Sequence, residues 1–432
     1  MKRVRRYKEG CFEMSSGREL RIGVIGIGRR GEVAALAHQP AKGVRVVAGA
    51  DPNGEVFENF HQWAGPEAQA YADYRPLLER PDIDAVFITS PDFCHEEQAV
   101  AALSAGKAVF LEKPMAITIE GCDRILAAAR AGGAKLYVGH NMRHFTFIRQ
   151  MKRIIDSGAI GQVKAGWCRH FIGAGGDVYF KDWHADRRFV TGLLLQKASH
   201  DIDVLHWLCG SYSRRVTAMG NLSVYNQITD RHSPEERGDA RAHLENWPPL
   251  SQKGLNPIID VEDLSMMLME LESGAMASYQ QCHYTPDAWR NYNIIGTEGR
   301  VENFGDIPGR MVIRVWNRRT DYNPYGDQQY FIPPAAGHHG GGDELMVEEF
   351  IRFIREDAPC TISPVAARQS VAAGYLATWS LRHGSAPADV PAVDPELASW
   401  FEMGGASQEA KQNTKITKDT KSTKGTKTQK IS

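Results

Sequence analysis

The sequence predicts an α/β protein: a parallel sheet with helices on both faces, followed by an α+β part whose strands pair mostly antiparallel. Three observations predict it. A glycine-rich crossing joins an apolar strand to a helix near residue 26. Apolar strands and helical stretches then alternate as far as residue 138, the pattern of a sheet covered on both sides. Beyond residue 258 the apolar stretches are short and joined by tight turns, as in an antiparallel sheet. At 432 residues the chain is too long for one ordinary core, and two principal units are the natural division.

Arg21 to Ile25 reads as the first strand, and Gly26-Ile27-Gly28-Arg29-Arg30-Gly31 follows it directly. Gly26 permits a tight turn, Gly28 lets the backbone approach a pyrophosphate, and Gly31 lets the next helix pack closely on the sheet. Ile27, Arg29 and Arg30 complete the crossing. The helix from Glu32 to His38 offers free amide donors and a favourable dipole at its start. The second strand, Val44 to Ala50, ends at Asp51, an acid placed to accept hydrogen bonds from the adenosine ribose hydroxyls. This is the layout of a dinucleotide site, with NAD favoured. Arg29 and Arg30 keep a phosphorylated ribose, and so NADP, open. The bland alternative is a glycine-rich turn in an unrelated α/β protein.

Phe57, Phe60 and Trp63 mark a helix, Tyr71 to Tyr74 a short connection, and Pro76 to Glu79 the stretch after it. Ile83 to Thr89 is apolar on both faces, as a central parallel strand must be. Ser90-Pro91-Asp92 breaks it, and His95 to Ser104 is the next helix. Lys107 to Leu111 is a strand ending in Glu112-Lys113-Pro114, Ile119 to Arg130 a helix, and Lys135 to Val138 a last strand. Strand ends at Gly26, Asp51, Ser90, Glu112 and His140 share the edge of the sheet that binds ligands in such folds. Pro114 restricts Lys113 to an extended conformation that can aim its side chain into that crevice.

The composition is ordinary for a globular protein: 42% hydrophobic, 24% charged, with 51 Lys+Arg against 52 Asp+Glu. A net charge of -1 gives no electrostatic reason to expect a nucleic-acid partner, and no apolar run suggests a membrane span. The seven cysteines are scattered, without CxxC pairs, so neither a disulfide framework nor a metal site is indicated. Residues 1–20 read as an arm without a secretory signal, and the simple expectation is a reducing, cytoplasmic setting.

In the second part, Phe145 to Ser157 carries a helical stripe, and Gln162 to Phe171 is a strand. Gly173 to Gly176 reads as a flexible loop before Trp183 and His184, either a wall of the site or a plain surface excursion. His200 opens a helix whose buried stripe is Ile202, Leu205, Leu208 and Cys209. Taken alone, His200 is better explained by packing. Residues 228–256 look like a loop-rich insertion bordering the site or a subunit contact. Leu264 to Leu271 and Ala275 to Gln280 form a hairpin, with further strands at Asn291 to Ile295 and Met311 to Val315. Asp343 reads as the N-cap of a helix reaching Phe353, and Pro364 begins a helix to about Leu381. The expected division is 21–142, 143–385, a departing extension 386–405, and a disordered tail 406–432.

The glycine turn, Asp51, Ser90-Pro91, Glu112-Lys113-Pro114 and His140-Asn141-Met142-Arg143 together resemble the glucose–fructose oxidoreductase / inositol dehydrogenase (Gfo/Idh/MocA) family. His200-Asp201-Ile202-Asp203 and His339-Gly340-Gly341-Gly342-Asp343 extend the likeness over roughly residues 20 to 385. The resemblance implies an N-terminal Rossmann domain and a C-terminal α+β domain on a large, open, mostly antiparallel sheet. It also implies homo-oligomers, dimers or tetramers, and NAD(P)-dependent chemistry on a sugar, cyclitol or related polyol. By the same resemblance Lys113 contacts cofactor and substrate, and His200 transfers a proton. Ser90, Pro91, His95 and Glu112 join the cofactor-binding set. Arg143, Trp183, Lys197, Asp201 and His339 are the expected substrate contacts.

The chain departs from the family pattern at one position. An aspartate usually stands four residues before the histidine, and here it is Gln196, which cannot titrate. Lys197 and Asp201 are the neighbours able to take over part of its work. The departure keeps two alternatives in view: an NAD-dependent glycoside hydrolase working by transient oxidation and elimination, and a dinucleotide-binding protein without chemistry.

Overall fold

The computed structural model of the chain describes residues 18–404, apart from 237, 239, 244 and 336. Most of the expected arm, Cys11, and the tail at 406–432 lie outside the described residues.

The first sheet contains β1 (Leu20–Ile25), β2 (Val44–Ala50), β3 (Gln69–Tyr71), β4 (Ala85–Ile88), β5 (Ala108–Glu112) and β6 (Leu136–Gly139). All six run parallel in the order β3-β2-β1-β4-β5-β6, so the winding direction reverses between β1 and β4. One face buries Ile22, Phe87 and Phe110 against Val33, Phe60 and Phe350. The other buries Val86, Ile88 and Leu111 against Leu103, Ile125 and Leu126. Burial on both faces is why these strands are continuous apolar runs. The ligand-binding crevice of such a sheet opens at the strand C-termini beside the reversal.

The second sheet follows with β7 (Val163–Phe171), β8 (Ser213–Asn221), β9 (Leu264–Leu271), β10 (Met276–Cys282), β11 (Trp289–Gly296), β12 (Arg300–Phe304), β13 (Met311–Trp316), β14 (Gln328–Ile332) and β15 (Ala388–Asp389). Its order is β14-β13-β12-β11-β7-β10-β9-β8-β15. Among the described residues every neighbouring pair is antiparallel except β7 with β10. Its inner face is covered by helices Thr146–Asp156, Ser199–Cys209 and Pro364–Arg382, which bury Phe147, Met151, Ile202, Leu205 and Ala373 against Met267, Tyr279 and Ile294. The outer face leaves Met219, Met266, Leu268, Met276 and Phe331 exposed.

Late in the chain, helix Gly342–Glu356 packs Met346, Val347 and Phe350 onto the first sheet. Helix Pro364–Arg382 gives Val371 to one core and Ala377 to the other. The stretch 143–385, expected as one unit, therefore contributes to both cores.

Several local expectations are corrected. Gln69–Tyr71 is an edge strand rather than part of a connection, because its backbone pairs with β2. Gly175 and Gly176 are buried and begin a short helix, Gly175–Tyr179, instead of a flexible loop. A Cβ at Gly175 would stand 2.1 Å from the His283 carbonyl oxygen, so glycine is required there for close packing. The helix expected to be capped by Asp343 has Gly341 at its N-cap, and Asp343 is occupied elsewhere. The departing extension includes a helix, Pro395–Glu402, whose Trp400 is buried in the first core.

Candidate active site

The glycine crossing leaves β1 through Gly26, whose φ of +86° favours glycine. A Cβ at Gly26 would lie 2.5 Å from the Ser90 amide nitrogen, so this glycine also allows two strand ends to touch. At Gly28, by contrast, an added Cβ would meet only Asp51 Oδ2, at 4.0 Å. No side chain caps the turn Arg29–Gly31 or the helix Glu32–Ala37. Asp51 holds the Asn53 amide through Oδ1 at 2.9 Å, leaving Oδ2 beside the open turn. An open glycine cradle, uncapped amides and a carboxylate oxygen at its edge fit a dinucleotide's pyrophosphate and ribose.

The neighbouring side chains have distinct tasks. Ile27 is buried in the core, so only its backbone faces the turn. Arg29 donates to the Ala240 carbonyl at 2.7 Å, which brings the 228–256 segment against the crossing. Arg30 is clamped between Glu112 at 2.6 Å and Asp343 at 2.9 Å. The other Glu112 oxygen accepts the Lys113 amide at 3.0 Å, so this carboxylate fixes the backbone from which Lys113 projects. His95, expected in the cofactor set, is fully buried. Its ring nitrogens lie 2.9 Å from the Ser90 carbonyl and 2.7 Å from that of Pro114, tying two strand-end loops together.

Lys113 reaches across to the second unit, where its Nζ is 3.4 Å from the Gln196 carbonyl oxygen. Burial lowers its pKa, and the like charge of Lys197 adds to the effect. Burial also takes His200 well below the usual imidazole value, reinforced by Lys113 and His140. The His140 and His200 rings meet edge-on with centroids 5.9 Å apart. Lys197, whose ammonium lies 5.2 Å from the centre of the Tyr179 ring, is brought to about 7 by burial and by Arg290. Lys113, Lys197 and His200 are each partly exposed, so the cluster meets the crevice. Around it Asp92 Oδ2, both His140 nitrogens, Gln196 Oε1 and His200 Nδ1 are buried without hydrogen-bond partners. Such groups are costly unless something polar meets them.

The expected substrate contacts divide. Lys197 and Trp183 stay at the cluster: Trp183 stacks on His184 at 3.8 Å, and His184 meets Tyr179 edge-on. Arg143 does not; it is buried in a two-pronged pair with Asp203, both contacts at 2.7 Å, and donates to the Thr361 carbonyl. Asp201 is fully buried, and its oxygens are taken by Arg290 at 3.0 Å, His170 at 2.9 Å, Tyr279 at 3.1 Å and Tyr292. Both residues anchor the site from behind. His339, at φ 49°, is exposed and paired with Asp343 at 2.8 Å. Sequence reading noted His140 only as a strand-end group. It missed Tyr179, His170 and Arg290, which come from scattered elements with no common spacing. Among the described residues no group of three or more His, Cys, Asp or Glu side chains could hold a metal ion.

Residues 20–140 match the family model described as "Oxidoreductase family, NAD-binding Rossmann fold", and residues 148–302 match the GFO/IDH/MocA C-terminal domain. An inositol 2-dehydrogenase of Ralstonia nicotianae is 38% identical over 194 residues, 44% of this chain and 55% of that protein. The match thus spans about half the length of that curated relative. An inositol 2-dehydrogenase/D-chiro-inositol 3-dehydrogenase of Shouchella clausii is 28% identical over 316 residues, 69% of this chain and 79% of that protein. Among solved structures, a levoglucosan dehydrogenase in complex with NADH and levoglucosan superposes with a TM-score of 0.69 at 22% identity, covering 86% of this chain and 99% of that one. An oxidoreductase domain protein from Kribbella flavida gives 0.70 at 20% identity, covering 87% and 100%. At these identities the structures establish a shared fold.

Proposed function

This chain belongs to the GFO/IDH/MocA oxidoreductase family, and on that premise we propose that it is an NAD(P)-dependent dehydrogenase of a secondary hydroxyl on a sugar, cyclitol or related polyol. A bound nicotinamide would take up or return the hydride. The chain's own residues do the rest. Gly26 to Gly31 and Asp51 hold the nucleotide, with NAD favoured because Arg30 is committed to Glu112 and Asp343. Lys113 orients the reacting hydroxyl and stabilises negative charge as it develops on the oxygen. His200, neutral because burial depresses its pKa, is in the state that receives a proton.

The reading is carried by the meeting of Lys113 with His200 and His140 at the strand-end edge of the first sheet. The relatives support it, being named as inositol dehydrogenases. It is tested by titrating the full chain with NAD and NADP, then following NADH formation over a panel of polyols and glycosides. Net NADH with a polyol is the expected result. Release of an aglycone without net NADH would replace this reading with the eliminating hydrolase.

A further inference from the structure

Charge in the crevice is unevenly matched. Most carboxylates around it already have a cation. Glu112 and Asp343 share Arg30, Asp201 pairs with Arg290, and Asp203 pairs with Arg143. Asp177 lies 3.2 Å from Lys181, and Asp182 lies 2.5 Å from His184. Asp92 is buried, and burial pushes its carboxyl toward the uncharged form. Lys113 and Lys197 remain: each is partly exposed, and neither has a carboxylate within ion-pair distance among the described residues. Lys113 feels the charge of Lys197, opposed by Asp92 and Glu112, and Lys197 feels that of Arg290, opposed by Asp201. A neutral polyol would leave both amines without a direct ion-pair partner in a site largely shielded from water, whereas a bound anion would supply one and favour their charged forms.

We infer that the substrate carries a carboxylate, as a sugar acid does, and that Lys197 receives this carboxylate while Lys113 serves the reacting hydroxyl. The inference rests on the redox reading above and narrows its substrate class. Lys197 is faced by Lys113, Arg290, His170, His200 and His283, with Asp201 opposing them. Burial holds these histidines below the usual imidazole value, so they bring little positive charge at neutral pH. Arriving negative charge would restore the proton to Lys197, so acid binding above pH 7 should take up a proton.

The test is calorimetric titration of the full chain, saturated with NAD at pH 8, with three matched pairs: D-glucuronate and D-glucose, D-galacturonate and D-galactose, D-gluconate and D-glucitol. At least one acid should bind about tenfold or more tightly than its neutral match, with proton uptake across buffers of different ionisation enthalpy. Lys197→Met should weaken that acid by roughly 30-fold or more and the neutral match by less than about threefold, while Lys197→Arg retains the preference. Neutral partners binding as tightly as the acids, no binding of any acid, or equal losses in Lys197→Met would each overturn the inference. The wild-type comparison stands if the variant fails to fold. NADH formation is read in parallel. Turnover of neutral sugars without acid preference sinks this inference alone, and acid binding without turnover of any polyol sinks the redox reading alone.

Discussion

Arg143 and Asp203 show how a residue that reads as a ligand contact can be an anchor. Their side chains are 7% and 1% exposed and joined by two short hydrogen bonds. Burial alone would raise the Asp203 carboxyl, but Arg143 and His140 outweigh it and hold it below its ordinary value. The stability so contributed is present above the unfolded value of about 3.9 and is lost as pH falls through the depressed folded value. Asp203→Ala leaves a buried guanidinium without its partner and should cost about 3–5 kcal/mol in urea denaturation. An unchanged midpoint would refute that role. Lys113 belongs to the other kind. Lys113→Met should lower turnover roughly 10²–10³-fold, with NAD affinity by fluorescence titration largely unaltered. Full turnover in this variant would remove Lys113 from the chemistry. The proline-flanked Lys113 stands out along the chain, whereas His200 was singled out only by the family resemblance. Tyr179 and Arg290 were not legible, since their proximity to Lys197 exists only after two distant segments fold together.

At the scale of elements, the glycine crossing separates two jobs that a motif reading merges. Gly26 is needed by the fold: Gly26→Ala combines a positive φ with a contact against Ser90 and should cost about 2–3 kcal/mol. Gly28 has ordinary φ and open space, so Gly28→Ala should leave the thermal midpoint nearly unchanged. Its NAD affinity should fall about tenfold or more, because the methyl group occupies the path of the pyrophosphate. Equal effects of the two substitutions on stability would contradict this division. Central strands and long helices were readable: β2 and the helix His95–Ser104 fall where their apolar patterns place them. Edge elements were weaker. Gln69–Tyr71 buries no side chain fully, and β8 buries only Ser213, Val216 and Ala218, so their strand character comes from pairing partners.

For the whole molecule, the outer face of the second sheet is the feature that a single chain leaves unexplained. Met219 lies opposite Met266 in register, Leu268 follows two residues along, and Met276 stands on the next strand. These side chains are 69%, 46%, 55% and 53% exposed, a contiguous apolar patch of the kind that marks an interface. We propose that it pairs with a second copy of the chain, as the family resemblance implies. Light scattering should report a dimer or tetramer, and the double substitution Met266→Glu with Leu268→Glu should shift it toward the monomer. A monomeric wild-type chain at micromolar concentration would end the proposal. No helix among the described residues is long and apolar enough to cross a membrane.

The sequence by itself determined what depends on neighbours along the chain: the alternating elements of the first sheet, the nucleotide turn, the acid after β2, and the lysine before Pro114. Each follows from local backbone freedom or from the period of burial. Tertiary structure decided what depends on convergence. It sent Asp201 and Arg143 behind the site as anchors, brought helix Gly342–Glu356 back to the first sheet, and left Lys113 and Lys197 without a carboxylate at ion-pair distance among the described residues. Charge compensation acts through space across distant segments, and no spacing within the sequence records it.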